Sequence, residues 1–271
     1  MTPRPFRVTE RRQETADTWT LALEAADGGP AITFEPGQFN MLYSFGIGEI
    51  PVSISSGASE EGPLEHTVRA VGAVSEAICR AEPGATLGLR GPFGSSWPVS
   101  EAAGRHLVVV AGGLGLAPLR PALLEALARR DELEGVVLLT GGRSPAELLF
   151  RTELELMHSD PRLELGVTVD SAQDDWGGHV GVVTTLIDDA GFDPANAIAM
   201  TCGPEVMMRF TARALLEKGL QPDDLYVSIE RNMKCAVTQC GRCQFGPTFA
   251  CREGAVMSYG AVERFLEVRE I

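Results

Sequence analysis

The sequence is short of positive charge and contains neither long apolar runs nor repeats. Its 271 residues include 23 Lys and Arg against 37 Asp and Glu, which gives a net charge of −14. Such a field repels nucleic acid and anionic lipid, because binding to phosphate groups requires clustered cations. The acidity is typical either of a surface that only keeps the protein soluble or of one that docks a basic partner.

No run approaches the roughly 18 apolar residues of a membrane span. The strongest apolar run, residues 107–111, has the length of a strand. Residues 1–7 contain cations but not the apolar stretch of a signal peptide. We therefore expect a cytoplasmic protein that does not bind membranes or nucleic acid.

The first hundred residues have the pattern of a β domain. Hydrophobic residues make up 44% of the chain, and its length allows two compact domains and a small third. Residues 18–23 alternate polar and apolar, as a half-buried strand does. Turns rich in Gly and Pro follow at 27–30, 35–37 and 57–62. The pattern predicts a small antiparallel β barrel over residues 1–101.

From residue 102 onward strands and helices alternate, which predicts an α/β doubly wound parallel sheet over residues 102–225. Residues 226–271 break this period and are expected to form a small Cys-rich loop domain. The predicted strands lie at residues 107–111, 136–139, 163–169 and 197–201, and the predicted helices lie at 118–130, at 145–157 and in a segment ending at Lys218.

Four of the six cysteines lie close together near the end of the sequence, separated by four, two and seven residues: Cys235, Cys240, Cys243 and Cys251. In a reducing compartment such a group indicates metal rather than disulfides. Plant-type 2Fe–2S ferredoxins use C-x4-C-x2-C…C, whereas structural zinc sites usually bring two C-x2-C pairs. The spacing favours a 2Fe–2S cluster over zinc or unrelated thiols, and it leaves Cys79 and Cys202 outside the ligand set.

Two glycine-rich turns follow strands of the predicted parallel sheet. The first contains Gly112, Gly113, Leu114 and Gly115, and the second contains Cys202, Gly203 and Pro204. Glycine lets the backbone approach a pyrophosphate, and the next helix offers free N–H groups. A tight strand-to-helix turn also needs glycine for packing alone, and Cys202 is typical of a small core residue as well. Because both turns would lie at the carboxyl edge of one sheet, we expect a dinucleotide site there.

Two charged residues are opposed candidates for selecting between NAD and NADP. Arg143 follows a predicted strand, and its guanidinium suits a 2′-phosphate. Asp170 follows the next strand, where a carboxylate accepts a hydrogen bond from the 2′-hydroxyl of NAD and repels a phosphate. Each is equally typical of a solvated loop charge, so the sequence leaves the preference open.

Several motifs taken together resemble the ferredoxin–NADP reductase superfamily over nearly the whole chain. Their order is Pro-x-Ser-x-Ser (51–55), Gly-x-x-Ser (72–75), Gly-Pro-x-Gly (91–94), Gly-Gly-x-Gly-x-Ala-Pro (112–118), Cys-Gly-Pro (202–204) and the cysteine pattern. Within it the chain is most similar to gamma subunits of cytoplasmic nickel–iron hydrogenases (sulfhydrogenases). It also resembles the electron-transfer subunits of dihydroorotate dehydrogenase and anaerobic sulfite reductase.

The resemblance implies an FAD-binding barrel, an NAD(P)-binding domain and a 2Fe–2S domain that together exchange electrons with a partner redox subunit. It implies Ser53 beside the flavin N5 region and an FAD pyrophosphate over the turn from Gly72 to Ser75. It also implies a nicotinamide nucleotide around the two glycine-rich turns. The other FAD contacts expected on this basis are Pro51, Val52, Ile54 and Val74.

Composition alone gives the barrel motifs only as turns, so the flavin assignment depends on the resemblance. A hydrogenase partner is expected, because the chain has no evident site for a second substrate. The short spacing from Cys243 to Cys251 favours a hydrogenase or sulfite reductase type over the dihydroorotate type. A stand-alone NAD(P)H reductase and a zinc-stabilised interaction subunit are the alternatives.

The sequence departs from the superfamily pattern in two places. Where relatives often have Arg-x-Tyr-Ser, this chain has Ile50 followed by Pro-Val-Ser, so a phosphate-binding cation is missing and Arg69 is its nearest replacement. Ala236 and Thr238 stand where related cluster loops usually carry glycine. A Cβ is costly at these positions only if the backbone φ is positive.

Overall fold

The amino-terminal part of the chain forms a six-stranded antiparallel sheet. The structure is a computed structural model that describes residues 2–58, 62–172 and 176–266. The strands are β1 (Arg4–Thr15), β2 (Thr18–Ala25), β3 (Phe39–Ser44), β4 (Gly48–Ser53), β5 (Leu64–Arg69) and β6 (Thr86–Phe93), in the order β4-β3-β6-β1-β2-β5. A bridge between Ile54 and His66 joins the two edges of the sheet. The sheet curls around an apolar core, and α1 (Ala73–Cys79) follows its last edge strand.

The second sheet has seven strands and is parallel except at one edge. Its order is β10-β9-β8-β7-β11-β12-β15, and only β12 and β15 pair antiparallel. The strands in chain order are β7 (His106–Gly112), β8 (Gly135–Gly142), β9 (Glu164–Val169), β10 (His179–Val180), β11 (Ala197–Cys202), β12 (Leu225–Ser228), β13 (Gln244–Phe245), β14 (Thr248–Phe249) and β15 (Val256–Ser258), of which β13 and β14 form a separate hairpin. The helices are α2 (Leu116–Ala128), α3 (Arg151–Met157), α4 (Glu205–Lys218) and α5 (Tyr259–Leu266).

The predicted doubly wound topology is confirmed. The chain enters the sheet at β7, adds β8 and β9 on one side, and then returns to add β11 and β12 on the other. Residues 107–111 of β7 are completely buried, as expected for a strand covered on both faces. The order reverses between β7 and β11, which is where ligands bind in folds of this kind. Within the described residues, no helix is both long and apolar enough to cross a membrane.

The helix predicted over residues 145–157 is wrong in its first half. Residues 145–147 form a single 3-10 turn, Leu148 is extended, and α3 begins only at Arg151. Phe150 stands between them in the left-handed conformation, with φ 52°. The reversal buries Phe150 against the guanidinium of Arg120, 5.3 Å from the ring centre. This tertiary contact overrides the local helical periodicity.

The second sheet extends beyond the boundary predicted at residue 225. Both β12 and β15 belong to it, and α5 packs against β12 and β15. Ser228 and Val256 are register partners in this ladder, so residues 229–255, which contain the four clustered cysteines, lie between two neighbouring strands. The cysteine segment is therefore an insertion anchored at both ends in the second sheet.

The two sheets are held together by side chains of α2 and of the segment between β6 and β7. The indole nitrogen of Trp97 donates to the carbonyl of Pro118 at 2.8 Å. Arg120 donates to the carbonyl of Ser55 at 2.6 Å and to the carboxylates of Glu65 and Glu153 at 3.1 and 2.7 Å. Bonds from one guanidinium to both domains fix the two walls of the space between them.

Candidate functional site

A groove of about 1520 Å³ runs between the two sheets. This volume exceeds that of a site for one drug-sized ligand, which is roughly 300–1,000 Å³, and it suits two extended nucleotides. The groove brings together almost all the predicted cofactor residues: Pro51, Val52, Ser53, Arg69, Gly72, Val74, Ser75, Gly112, Gly113, Leu114, Gly115, Arg143, Asp170, Cys202, Gly203 and Pro204. Ile54 is completely buried beneath it, in the barrel core.

The backbone carbonyl of Ser53 is held by two buried, hydrogen-bonded polar side chains that the sequence does not predict. The Nδ1–H of His66 donates to the Ser53 carbonyl at 2.9 Å, and His66 Nε2 lies 3.1 Å from Asn40 Nδ2. The carbonyl requires the proton on Nδ1, so Nε2 accepts from the amide. Both side chains are completely buried, and burial lowers the pKa of His66 to about 4. A neutral imidazole thus fixes the end of β4 at the groove.

The turn from Gly72 to Ser75 is closed by the Ser75 hydroxyl. The backbone N–H groups of Val71 and Gly72 both donate to Ser75 Oγ at 3.0 Å. Arg69 lies beside this turn at the end of β5, and its Nε donates to Asp17 at 2.7 Å. The candidate replacement for the missing superfamily cation therefore lies on the groove, paired with a carboxylate.

The two glycine-rich turns after β7 and β11 pack directly against each other. A Cβ at Gly115 would lie 2.1 Å from the carbonyl oxygen of Cys202, so this glycine is required by packing alone. Gly113 has φ 53°, a conformation that glycine adopts without a Cβ penalty. The turns thus meet where the strand order reverses, between β7 and β11.

Cys79 and Cys202 are buried thiols outside the segment of the four clustered cysteines. Burial raises the pKa of Cys79 to about 11, and burial with the nearby Glu230 carboxylate raises the pKa of Cys202 to about 12. Cys202 also borders the groove, so its position is compatible with either a core residue or a site residue.

Arg143 and Asp170 both lie on the groove, at the ends of β8 and β9. Arg143 Nε donates to Glu147 Oε2 at 2.6 Å. The backbone N–H of Asp170 donates to the Gly142 carbonyl at 2.9 Å. The guanidinium is thus already engaged by an acid, whereas Asp170 lies exposed at the end of its strand.

Sequence reasoning missed an apolar wall of the groove. Val206 and Phe210 project from α4 with more than half of each residue exposed, and Val182 contributes from the segment after β10. Exposed large apolar residues on a ligand groove indicate a flat apolar ligand surface, such as a nucleotide base. The available signal was their i, i+4 spacing directly after the Cys-Gly-Pro turn.

The four clustered cysteines occur as two pairs. Cys235 and Cys240 are hydrogen-bonded neighbours, and Cys243 Sγ lies 3.2 Å from Cys251 Sγ. In the part of the chain that the structure describes, no three His, Cys, Asp or Glu side chains surround a single metal position. A 2Fe–2S cluster shares four thiolates between two irons. A paired arrangement is compatible with such a group.

The loop between the first two cysteines directs backbone N–H groups at sulfur. Val237 and Gln239 donate to Cys235 Sγ at 3.4 and 3.3 Å, and Thr238 donates to Cys251 Sγ at 3.3 Å. The Val237 bond, with those from Cys240 and Gln239, lowers the pKa of Cys235 to about 7. Backbone N–H groups gathered in this way form a concavity that suits an anionic group.

This loop geometry is strained. Ala236 and Thr238 have φ values of 58° and 61°, in the left-handed region that costs non-glycine residues about 1 kcal/mol or more. The positive φ that makes a Cβ costly is thus present at both departures from the family pattern. The strain accompanies the N–H donors to sulfur, so the residues fit a cluster despite the missing glycines.

The chain matches one family model and is similar in sequence to several known proteins. Residues 109–213 match the family model described as oxidoreductase NAD-binding domain. The gamma subunit of sulfhydrogenase 1 from Pyrococcus furiosus is 34% identical over 252 residues, covering 91% of this chain and 86% of that protein. The gamma subunit of sulfhydrogenase 2 from the same organism is 35% identical, covering 93% of each chain.

A probable dihydroorotate dehydrogenase B (NAD(+)) electron transfer subunit from Methanopyrus kandleri is 34% identical, covering 94% of this chain and 89% of that protein. Among solved structures, an NADH-dependent reduced ferredoxin–NADP oxidoreductase superposes with a TM-score of 0.75 at 23% identity, covering 98% of this chain and 94% of that one. That likeness supports the fold across both sheets and the cysteine segment. The chain therefore belongs to the family of oxidoreductases with a ferredoxin–NADP reductase-like fold that includes sulfhydrogenase gamma subunits and dihydroorotate dehydrogenase electron-transfer subunits.

Proposed function

We propose that this protein is the electron-transfer subunit of a nickel–iron hydrogenase complex, working through FAD, NAD(P)H and a 2Fe–2S cluster. Family membership implies FAD and NAD(P)H binding. The observation that carries the proposal is the single groove lined by barrel motifs and nucleotide turns, together with paired thiols on one adjoining loop. When bound, these groups convert the two electrons of a hydride into single electrons.

The chain's own residues bind, orient and connect these groups. The proposed flavin contacts are Ser53 and its neighbours on β4 and the turn after β5, and the nicotinamide contacts are the turns after β7 and β11. Arg120 and Trp97 hold the two walls together, so that the flavin and the nicotinamide, if bound to these residues, would share one groove. Cys235, Cys240, Cys243 and Cys251 are the proposed cluster ligands.

Co-purification can identify the partner subunit. A tagged chain isolated from its native cell should carry a large nickel-containing subunit. The similarity to dihydroorotate dehydrogenase electron-transfer subunits supports a second candidate, for which the partner would be a flavin-containing dihydroorotate dehydrogenase without nickel. Isolation of a lone chain that reduces a soluble acceptor would contradict both and indicate a stand-alone reductase.

Ser53→Ala is expected to slow the reduction of bound flavin by NAD(P)H about fivefold to tenfold. The reason is the loss of one positioned hydrogen bond, worth about 1 kcal/mol. Stopped-flow bleaching of the flavin measures the rate. The matched control is Ser55→Ala, two residues away, whose hydroxyl bonds Thr67 inside the barrel at 2.9 Å. Equal rates in Ser53→Ala and wild type would remove the proposed role at N5.

Asp170→Ala is expected to shift the ratio of kcat/KM toward NADPH by about fivefold. A carboxylate at this edge repels a 2′-phosphate, and the energy of two close charges in water is on the order of 1 kcal/mol. Steady-state kinetics with both nucleotides measures the shift. Asp189→Ala, an exposed carboxylate outside the groove, is the control. If kcat/KM changes equally for both nucleotides, Asp170 is not the selecting residue.

A further inference from the structure

The cysteine segment rests on the flavin barrel, although both its ends belong to the nucleotide sheet. Its buried residues Met233, Ala236 and Cys243 form one apolar cluster with Phe39 and Met41 of β3. Burial at this seam places the cysteine loop against β3, and Met233, Arg242 and Gln244 of the segment themselves line the groove. Apolar packing alone is non-directional, so it does not fix which part of the loop faces the barrel.

One directional contact spans this seam. Arg90 of β6, whose side chain is only 9% exposed, donates from Nη1 to the carbonyl of Cys235 at 3.2 Å. The same guanidinium makes two parallel bonds to Glu49 of β4, at 2.8 and 2.6 Å. Its Cζ atom lies 5.9 Å from the ring centre of Phe93. Three groups thus hold one cation in a single orientation through four contacts.

A buried ion pair of this kind is weak evidence of a stabilising role. A buried Arg–Glu pair loses hydration, and apolar residues of similar volume often serve as well. The bidentate geometry with Glu49 leaves Nη1 free for a third partner, and that partner is the backbone of the first clustered cysteine. Glu49 lies on the same short strand as Ser53, so the pair connects the proposed flavin wall to the cysteine loop.

We propose that the Arg90–Glu49 pair docks Cys235 onto the flavin barrel and sets the reduction potential of the cluster held there. The inference rests on the proposed 2Fe–2S assignment. Reduction adds one negative charge to the cluster, so a nearby guanidinium favours the reduced form and a nearby carboxylate opposes it. Low solvent exposure keeps both charges effective, since solvent screens buried charges weakly.

Two variants of the full-length protein test the proposal by opposite shifts. In Arg90→Met the uncompensated carboxylate should lower the potential so that, at a fixed applied potential, the ratio of reduced to oxidised cluster falls about tenfold, which is 59 mV for one electron. In the isosteric Glu49→Gln the uncompensated guanidinium should raise the ratio. Redox titration followed by the EPR signal of the reduced cluster gives both values.

Arg252→Met is the matched control. Arg252 adjoins Cys251 in sequence, but it is 61% exposed and pairs with Glu253, so its removal should move the potential much less. Shifts of the same sign in Arg90→Met and Glu49→Gln, or no shift in Glu49→Gln, would overturn the role of the pair. Should Arg90→Met fail to load iron, the isosteric Glu49→Gln still decides the matter. Wild-type protein reconstituted without acquiring iron would instead overturn the cluster assignment, and the proposal with it.

Discussion

Cys240→Ser is expected to remove the iron–sulfur cluster while leaving the flavin protein intact. Cys240 is the exposed member of the first thiol pair, and loss of one of four thiolates deprives one iron of half its protein ligands. Iron analysis should fall from about two per chain toward zero, and the EPR signal of the reduced protein should vanish. NAD(P)H-driven reduction of a small acceptor that takes electrons from flavin should continue, whereas transfer to the native partner should stop.

The control for this experiment is Cys79→Ala. Cys79 is buried in the barrel, and its sulfur donates to the Val68 carbonyl at 3.4 Å. This variant should keep both iron and signal, with only the modest loss of stability that a small core truncation causes. An unchanged iron content and signal in Cys240→Ser would refute the ligand assignment. Normal delivery of electrons to the partner by iron-free protein would refute the electron route.

His66 is expected to make the protein lose about 3 kcal/mol of stability between pH 6.5 and pH 4. Its pKa is lowered from 6.5 to about 4 by burial. In this window the unfolded chain binds a proton that the folded chain excludes, so the free energy of unfolding falls as the pH falls. The size follows from about 1.36 kcal/mol for each unit of pKa difference.

Urea unfolding at pH values from 7.5 to 4.5 measures this dependence. In His66→Gln the part of the slope due to the imidazole should disappear, although the variant is less stable at neutral pH because the bond to Ser53 is altered. His158→Gln is the control, since His158 is exposed on the surface after α3. The prediction is contradicted if wild type and His66→Gln lose stability in parallel over the acidic range.

Much of this architecture follows from local patterns. The alternation of apolar strands with helices predicts the parallel sheet, because each strand needs helices on both faces to bury residues such as those of β7. Glycine-rich turns after two strands predict a site at the reversal of strand order, since parallel strands end at one edge. The spacing of the cysteines predicts their grouping, because a short loop can bring such closely spaced thiols together.

The contacts that the sequence does not predict join residues far apart in the chain. Arg90 is 41 residues from Glu49 and 145 from Cys235, and Arg120 is 65 residues from Ser55. A single arginine or histidine in a strand belongs to no periodic pattern from which its hydrogen-bond partner could be predicted. The helix predicted through Phe150 is wrong for a related reason. The guanidinium of Arg120, which is distant in the sequence, determines the backbone conformation of Phe150, and the helical neighbours of Phe150 do not. Polar contacts between residues far apart in the chain therefore cannot be predicted from the sequence.

The anchoring of residues 229–255 between two paired strands has a consequence for biogenesis. The ladder from Ser228 to Val256, extended by the Ile229 N–H bond to the Ala255 carbonyl at 2.8 Å, closes this loop without help from iron. Since the sheet already meets the entropic cost of bringing the loop ends together, ordering the cysteines is a local event. If the proposed cluster assignment holds, iron and sulfide can enter after the rest of the chain has folded, so an iron-starved cell should accumulate a folded flavoprotein without the cluster.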